Sequence, residues 1–194
     1  MDLFLAISQG IGTSLAAGVR AFLVPLLIGA LARANIGVDF EGTEYEFLES
    51  VVWLAIMLSL IVGAWLVERS GVPVASATWA IAGAAIGGVL FAGSLAERDY
   101  TSEPGLFAGV LAALIGFIAA RVFVGGAQER LSARGESDAK TTLSLIADAV
   151  VLAVATLAVL VEPSAYLALA FCAWVLLVRR RRAGQKYEGL RILR

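Results

Sequence analysis

The sequence predicts an all-α integral membrane protein with six transmembrane helices, arranged as two inverted three-helix repeats. Three observations predict this fold: the composition, six apolar segments, and an arginine that stands in a matching context in each half of the chain. Of the 194 residues, 60% are hydrophobic and 16% are charged, and the mean hydropathy is +0.87. Such a chain has too few polar side chains to cover a soluble domain, so we expect one transmembrane domain over residues 1–194.

Six apolar segments account for most of the chain. They cover residues 3–32, 47–67, 74–95, 104–126, 142–161 and 164–178. A crossing helix needs about 20 residues, so little of the chain is left for a soluble domain. The first segment has no basic stretch before it and is too long for a signal peptide, so we expect it to be retained. The last is short, but the arginines after it can snorkel and extend its reach.

The loop charges predict a multi-pass membrane protein with both termini in the cytoplasm. With that orientation the inner loops and tail hold Arg69, Arg130, Arg134, Lys140, Arg179, Arg180, Arg181, Arg182, Lys186, Arg191 and Arg194. The outer loops hold Arg33 and Arg98 together with the acids Asp39, Glu41, Glu44, Glu46, Glu97, Asp99 and Glu103. These acids fit either a solvated surface or a vestibule that attracts cations.

An arginine in each half indicates an internal repeat. The two runs read AGVRAFL at 17–23 and IAARVFV at 118–124. A shift of 101 residues aligns Arg20 with Arg121 and Pro25 with Gly126. Three crossings per copy is an odd number, so repeat one (about 3–95) and repeat two (about 104–178) are expected to be inverted. In inverted-repeat transporters, paired interruptions such as Pro25 and Gly125-Gly126 point to the central site.

Each arginine has an acidic residue predicted within reach. A guanidinium at the centre of a membrane helix costs about 2.5 to 3.5 kcal/mol, which favours a paired or functional residue. A rise of about 1.5 Å per residue places Arg20 toward the outer leaflet, where Glu49 begins the second helix. Inversion then places Arg121 toward the inner leaflet near Asp148. These pairs either lock the bundle, or act as gates of a polar cavity or sites for an anionic solute.

Small residues recur at a spacing of about four on three predicted helices. They are Gly10, Ser14 and Gly18 on the first, Gly83 and Gly87 on the third, and Gly105, Gly109 and Ala113 on the fourth. Such stripes allow close helix contact, either inside the monomer or in a homodimer. Thr13 and Ser14 lie below Arg20 and either line a polar path or bond to carbonyls of their own helix.

The basic tail, residues 179–194, favours a lipid contact or a topology signal. Arg179 to Arg182, with Lys186, would each gain roughly 1 kcal/mol near anionic headgroups. Nucleic-acid binding is not expected, because the run is juxtamembrane and lacks interleaved aromatic residues. With no histidine and a single cysteine, Cys172, no metal or other cofactor is predicted. No catalytic constellation is present, so an enzyme is not expected.

Three stretches are similar to a family of bacterial membrane proteins, the domain of unknown function 4126 family. They read GTSLAAGVRAFL at 12–23, LSLIAD at 143–148 and KYEGLR at 186–191. The likeness would cover almost the whole chain, and it implies the membrane architecture and a place in a bacterial inner (plasma) membrane. The chain departs from that pattern at 134–138, which lacks an expected proline, and after Val72-Pro73, which lacks an expected Asp-Lys. The family has no established activity to carry over.

The sequence thus predicts a small transporter or channel with an arginine-containing site between the repeats. The alternative is a non-transporting structural or scaffold protein whose basic tail binds lipid or a partner. A polar cavity that reaches Arg20 or Arg121 would favour transport. Apolar packing around fully paired arginines would favour the scaffold.

Overall fold

The computed structural model describes residues 2–70, 75–125, 137–161 and 163–188, and the side chains within these ranges other than those at 68, 137, 140 and 179–188. This part of the chain is helical and contains no strand. Its α-helices are α1 (Asp2–Val19), α2 (Leu23–Arg33), α3 (Val51–Ser70), α4 (Ser76–Ala96), α5 (Glu103–Ala120), α6 (Ser137–Leu160) and α7 (Ser164–Glu188). A 3₁₀ helix covers Glu46–Glu49, and a π-helical turn, Arg121–Gly125, continues α5.

Four stretches of described helix are long and apolar enough to cross a membrane. They are Asp2–Val19, Ser76–Ala96, Glu103–Gly125 and Thr141–Leu160. The apolar helices Leu23–Arg33, Val51–Val67 and Ser164–Val178 are shorter. This helix content fits an α-helical membrane protein. The described residues form seven α-helices rather than the six predicted, because the first apolar segment contains two.

The first predicted segment, residues 3–32, is interrupted by a bend. α1 ends at Val19, residues 20–22 form the bend, and α2 begins at Leu23. The sequence predicts an interruption at Pro25, and the structure places it one turn earlier. A proline ring clashes with the carbonyl four residues before it, here that of Ala21. Pro25 itself lies in the first turn of α2, where a missing N–H is tolerated.

After the bend the chain returns toward the end of the bundle where α1 begins. Asp39, which follows α2, donates its backbone N–H to Glu97 at 3.2 Å. The same carboxylate accepts a hydrogen bond from Gln9 of α1. The first half of α1 and the residues that follow α2 therefore lie toward the same end of the helix bundle.

This return makes α1 and α5 parallel, so the predicted inversion of these two helices is wrong. Four helices precede α5 instead of three, and an even number of reversals restores the direction of α1. Ala108 packs against the cluster that contains Ala6, and further along both helices Gly116 meets the backbone of Leu15. The shift of 101 residues that aligns the arginines also carries the bounds of α1 onto those of α5, 18 residues each.

The bundle has two ends of different charge. We call the acidic end the one where α1 begins; it holds Asp2, Arg33, Asp39, Glu41, Glu44, Glu46, Glu49, Glu97, Arg98, Asp99 and Glu103. The basic end is the opposite one, where α1 and α5 end; it holds the basic residues Arg20, Arg69, Arg121, Lys140, Arg179 to Arg182 and Lys186, and the acids Glu68, Asp138, Asp148 and Glu188. α7 runs from the stacked Phe4 and Tyr166 rings toward Phe123, which contacts Phe171. The start of α1 and the end of α7 therefore lie at opposite ends, whereas six crossings require the same side.

α1 is the central helix and packs against α4, α5, α6 and α7. Its small residues allow this, because a side chain on Gly18 would meet the backbone of Ala113 in α5. A side chain on Gly87 of α4 would likewise meet Ala113, at 2.6 Å. The predicted stripes thus pack against one another inside the monomer, which confirms that alternative for these residues.

Candidate functional site

A charged pair joins the bend after α1 to the middle of α6. Arg20 Nε pairs with Asp148 Oδ1, and Arg20 Nη2 donates a hydrogen bond to Ser144 Oγ at 2.7 Å. Ser144 and Asp148 are four residues apart on α6, so they project from one helix face. The side chains of Arg20 and Asp148 are 27% and 33% exposed. This Arg20 site combines a cation, an anion and a hydroxyl group at the basic end.

Arg20 pairs with the acid that the sequence assigned to Arg121, because the bend after α1 changes the depths at which these residues lie. Glu49 does not meet Arg20: it is at the acidic end, where its carboxylate accepts the N–H of Phe40. The Glu49 carbonyl also accepts from Arg33 Nη1 at 3.4 Å. Arg33 and Arg20 are separated by the length of α2, about 16 Å for its 11 residues. The predicted Arg20/Glu49 pair is therefore wrong.

Arg121 is also not paired with Asp148, and it does not lie at an opposite depth from Arg20. Both arginines directly follow parallel helices that end at the basic end. The Arg121 side chain is exposed, and its guanidinium lies 5.8 Å from the centre of the Phe117 ring. That distance is typical of a cation–π contact. Arg121 is thus separate from the Arg20 site.

The other predicted features fall partly within the described residues. Gly125 ends the π-helical turn that begins at Arg121, so the second interruption, like the first, begins at the arginine itself. Gly126 lies outside the described residues. Arg179 to Arg182 belong to α7, and their side chains lie outside the part of the chain that is described.

A second polar site lies at the acidic end, at the point where α4 ends. Glu97 Oε2 accepts from Gln9 Nε2 at 3.2 Å, and Glu97 Oε1 accepts from the Asp39 N–H at 3.2 Å. Gln9 is only 1% exposed. Its Oε1 has no hydrogen-bond partner among the described residues. We call this group of Glu97, Gln9 and the Asp39 amide the Glu97 site.

Partial burial perturbs the Glu97 carboxyl group. Loss of water around it raises its pKa from 4.5 to about 7, against the lowering effects of the Asp39 N–H, Arg98 and Gln9. Desolvation disfavours a charged carboxylate, whereas donated hydrogen bonds and a nearby cation favour it. For Glu97 the effect of desolvation on the pKa is larger than the opposing effects, so this group changes charge near neutral pH.

Buried hydroxyl groups lie along α1 and α4 between the two sites. Thr13 Oγ1 donates to the Gln9 carbonyl at 2.9 Å, the intrahelical bond that the sequence allows. Ser14 Oγ instead donates across helices, to the Gly87 carbonyl of α4 at 2.7 Å. Both residues are at most 2% exposed. The Ser14 bond fixes α1 against α4, and the two hydroxyl groups give the interior face of α1 a polar character.

The best-defined cavities in the described part of the chain do not reach either polar site. One has a volume of about 170 Å³ and is apolar, lined by Leu48, Trp53, Ala85, Ile86, Val89 and Leu90. The other is a groove on the outer surface of α3, along residues 51–60. Neither of these two cavities is lined by a residue of the Arg20 site or of the Glu97 site.

Comparison with protein-family models, with curated proteins and with solved structures gives no match to this chain. The resemblance to the domain of unknown function 4126 family stays a prediction. The fold and the two polar sites define the chain no further than an all-helical protein with several membrane-length helices.

Sequence reasoning identifies Arg20 and Asp148 but does not combine them, and it does not single out Gln9. The signal for Gln9 is its place within an apolar helix, four residues before Thr13, since buried polar residues in membrane helices are commonly functional. The sequence alone groups Glu97 with the other outer acids. Only the return of the chain after α2 shows that Asp39 and Gln9 enclose it.

Proposed function

We propose that the protein is a small membrane transport protein, a transporter or channel, with a gate or solute site at Arg20. The observation that carries this proposal is the Arg20–Asp148 pair at the bend between α1 and α2. A charged pair among apolar helices is costly to bury, and intramembrane ionisable residues default to functional roles. Both side chains keep some exposure, which supports a site that an ion or polar solute reaches.

The chemistry of the site favours an anionic solute. Guanidinium binds carboxylate and phosphate oxygens with paired hydrogen bonds. An anion that replaces Asp148 as the acceptor would separate α6 from the end of α1. Solute binding would thereby open the contact between the central helix and α6.

The second candidate is a structural or scaffold membrane protein. One observation favours it: Arg20 is already bound by Asp148 and Ser144, and the 170 Å³ cavity is apolar. A closed transporter and a permanently packed scaffold share these features. Function therefore has to be separated from stability by experiment.

Exchanging the positions of the two charges at the Arg20 site separates an effect on function from an effect on stability. Arg20→Asp and Asp148→Arg alone are each expected to lower the free energy of unfolding by roughly 1 to 3 kcal/mol, because each replaces the ion pair with two like charges. The double variant restores a pair of opposite charges and with it most of the stability. If the site serves solute passage, flux stays altered in the double variant.

Flux is measured on purified protein in liposomes by light scattering, with potassium formate, potassium chloride and glycerol as probes. Arg33→Gln, which changes an exposed arginine at the acidic end, is the matched control and should leave flux unchanged. Wild-type flux in the restored double variant would refute a solute role for Arg20. No flux of any probe in wild-type protein would support the scaffold.

We further propose that the basic end faces the cytoplasm of a bacterial plasma membrane. Arg69 and Arg121 lie at this end, and the tail beyond α7 adds further basic residues. Basic residues concentrate on cytoplasmic sides. In this orientation the tail is cytoplasmic, as predicted, but Asp2 lies on the opposite side, which revises the prediction for the N-terminus.

A further inference from the structure

The Glu97 site joins three separate parts of the chain. Glu97 ends α4, Gln9 belongs to α1, and Asp39 belongs to the segment 34–50 between α2 and α3. Each oxygen of the Glu97 carboxyl group accepts one hydrogen bond from a different part. The carboxyl group thus fastens segment 34–50 to the bundle at the acidic end.

The buried amide of Gln9 is the second observation. Its nitrogen faces Glu97 Oε2, while its oxygen has no partner among the described residues. A buried acceptor without a donor costs free energy. Turning this amide by half a turn would present the oxygen to Glu97, and only a protonated Glu97 could donate to it. The site therefore suits both protonation states of the acid.

We propose that Glu97, together with Gln9 and the Asp39 amide, is a proton-binding site whose occupancy controls how firmly segment 34–50 is attached. When Glu97 is ionised, it accepts charge-assisted hydrogen bonds from Gln9 and Asp39. When it binds a proton from water, its hydroxyl donates to Gln9 Oε1 and its other oxygen stays a neutral acceptor for Asp39. Burial disfavours the ionised carboxylate, and a segment that moves away returns water to it, so proton uptake tightens the attachment of the segment and proton release loosens it.

The charges around the Glu97 site are compatible with the binding and release of a proton. Arg98 and the Asp39 carboxylate act on Glu97 with opposite sign, and Arg98 Nη1 is directed to the Asp2 carbonyl at 3.4 Å. α1 contributes the neutral Gln9, and Asp2 is the one charged residue in the sequence of that helix. Burial raises the pKa of Glu97 to about 7, which places the exchange near neutral pH.

The test is an infrared titration of full-length protein in detergent. The carbonyl stretch of a protonated carboxyl group is followed against pH, with hydrated protons as the only ligand added. Wild-type protein should show one such band that titrates near neutral pH, and Glu97→Gln should lose it. Glu103→Gln, which changes an exposed acid at the same end, is the matched control and should keep it.

Deuterium exchange of peptides over residues 36–44 tests the attachment. After correction for the intrinsic pH dependence of exchange, wild-type peptides should exchange faster above the midpoint of the titration. Glu97→Gln, which imitates the neutral acid, should exchange slowly at every pH, and Glu103→Gln should follow wild type. Gln9→Met, which removes a donor to the ionised form, should move the midpoint to higher pH.

A titrating band that persists in Glu97→Gln would overturn the proposal. So would wild-type exchange over 36–44 that does not change across the titration. If Glu97→Gln fails to fold, the midpoint shift in Gln9→Met decides, and an unchanged midpoint again overturns the site. Proton binding is measured without any flux, so the proposed transport function can fail while this inference stands.

Discussion

At the residue scale, the Arg20 site depends on a hydroxyl group as well as on a carboxylate. Ser144 accepts from Arg20 Nη2 at 2.7 Å and thereby orients the guanidinium toward Asp148. Ser144→Ala should lower the free energy of unfolding by about 1 to 3 kcal/mol, because a charged donor loses its acceptor.

Thermal or denaturant unfolding in detergent measures this loss. Ser59→Ala is the control, since Ser59 is exposed on α3 and donates to the Ala55 carbonyl of its own helix. Equal effects of the two substitutions would contradict a role for Ser144 in holding Arg20.

Also at the residue scale, Glu97 makes stability depend on pH with a defined sign. Its pKa is about 7 in the folded protein against an ordinary value of 4.5. Between these values the folded state binds more protons than the unfolded state, so stability falls as pH rises through this window. The contribution is fully present below 4.5 and is lost above about 7.

Melting temperatures between about pH 5 and pH 8 measure this dependence. Wild-type protein should melt at a lower temperature toward the alkaline limit. Glu97→Gln should remove this part of the slope, whereas Glu103→Gln should retain it. An identical slope in wild type and Glu97→Gln would show that another group is responsible.

At the element scale, the contact of α1 with α5 requires glycine at one position in particular. A Cβ on Gly18 would overlap the Ala113 backbone of α5, and backbone cannot move aside as a flexible side chain can. Gly18→Ala is therefore expected to destabilise the protein by about 1 to 3 kcal/mol.

Gly63 provides the matched control within the same chain. It lies on α3, and no described atom lies within 4 Å of the position that a methyl group would take there. Gly63→Ala should therefore be neutral or stabilise the helix by up to about 1 kcal/mol. Unfolding measurements on the two variants compare crowded and open glycines directly. A neutral Gly18→Ala would mean that α1 and α5 are less closely packed than described.

The helices themselves are largely predictable from the sequence, and their directions are not. Hydropathy predicts an apolar segment at 74–95, and the structure has α4 at Ser76–Ala96. The apolar run 3–32 carries no loop signal at the bend itself, because residues 20–22 are an arginine followed by alanine and phenylalanine. The bend depends on Pro25 and on packing against other helices. One missed reversal then inverts the expected direction of α5 and assigns Asp148 to the wrong arginine.

At the scale of the whole molecule, we expect the start of α1 and the end of α7 to lie on opposite sides of a membrane, because they lie at opposite ends of the described bundle. Tags before Asp2 and after residue 194 should be accessible from opposite sides of intact cells. Single cysteines in a Cys172→Ala background check the assignment with an impermeant maleimide. Glu44→Cys and Glu103→Cys should react from one side, and Ser70→Cys from the other.

Two tags on one side would contradict the bend and restore the six-helix prediction. Reaction of Glu44→Cys and Ser70→Cys from the same side would show that α3 does not cross. The three cysteines thus test α3 and α4 independently of the termini.

The short α2 has a consequence for the surrounding lipid. α2 has 11 residues and a length of about 16 Å, whereas the hydrocarbon layer of a typical bilayer is about 30 Å thick. Segment 34–50 makes up the difference with turns and a short 3₁₀ helix. Its side chains Val38, Phe40 and Leu48 are each at most 3% exposed. Beside α2 the membrane is therefore expected to thin, and shorter acyl chains should fit this flank better than long ones. Unfolding measured in bilayers of increasing chain length would show the optimum, and a protein that senses bilayer thickness would do so here.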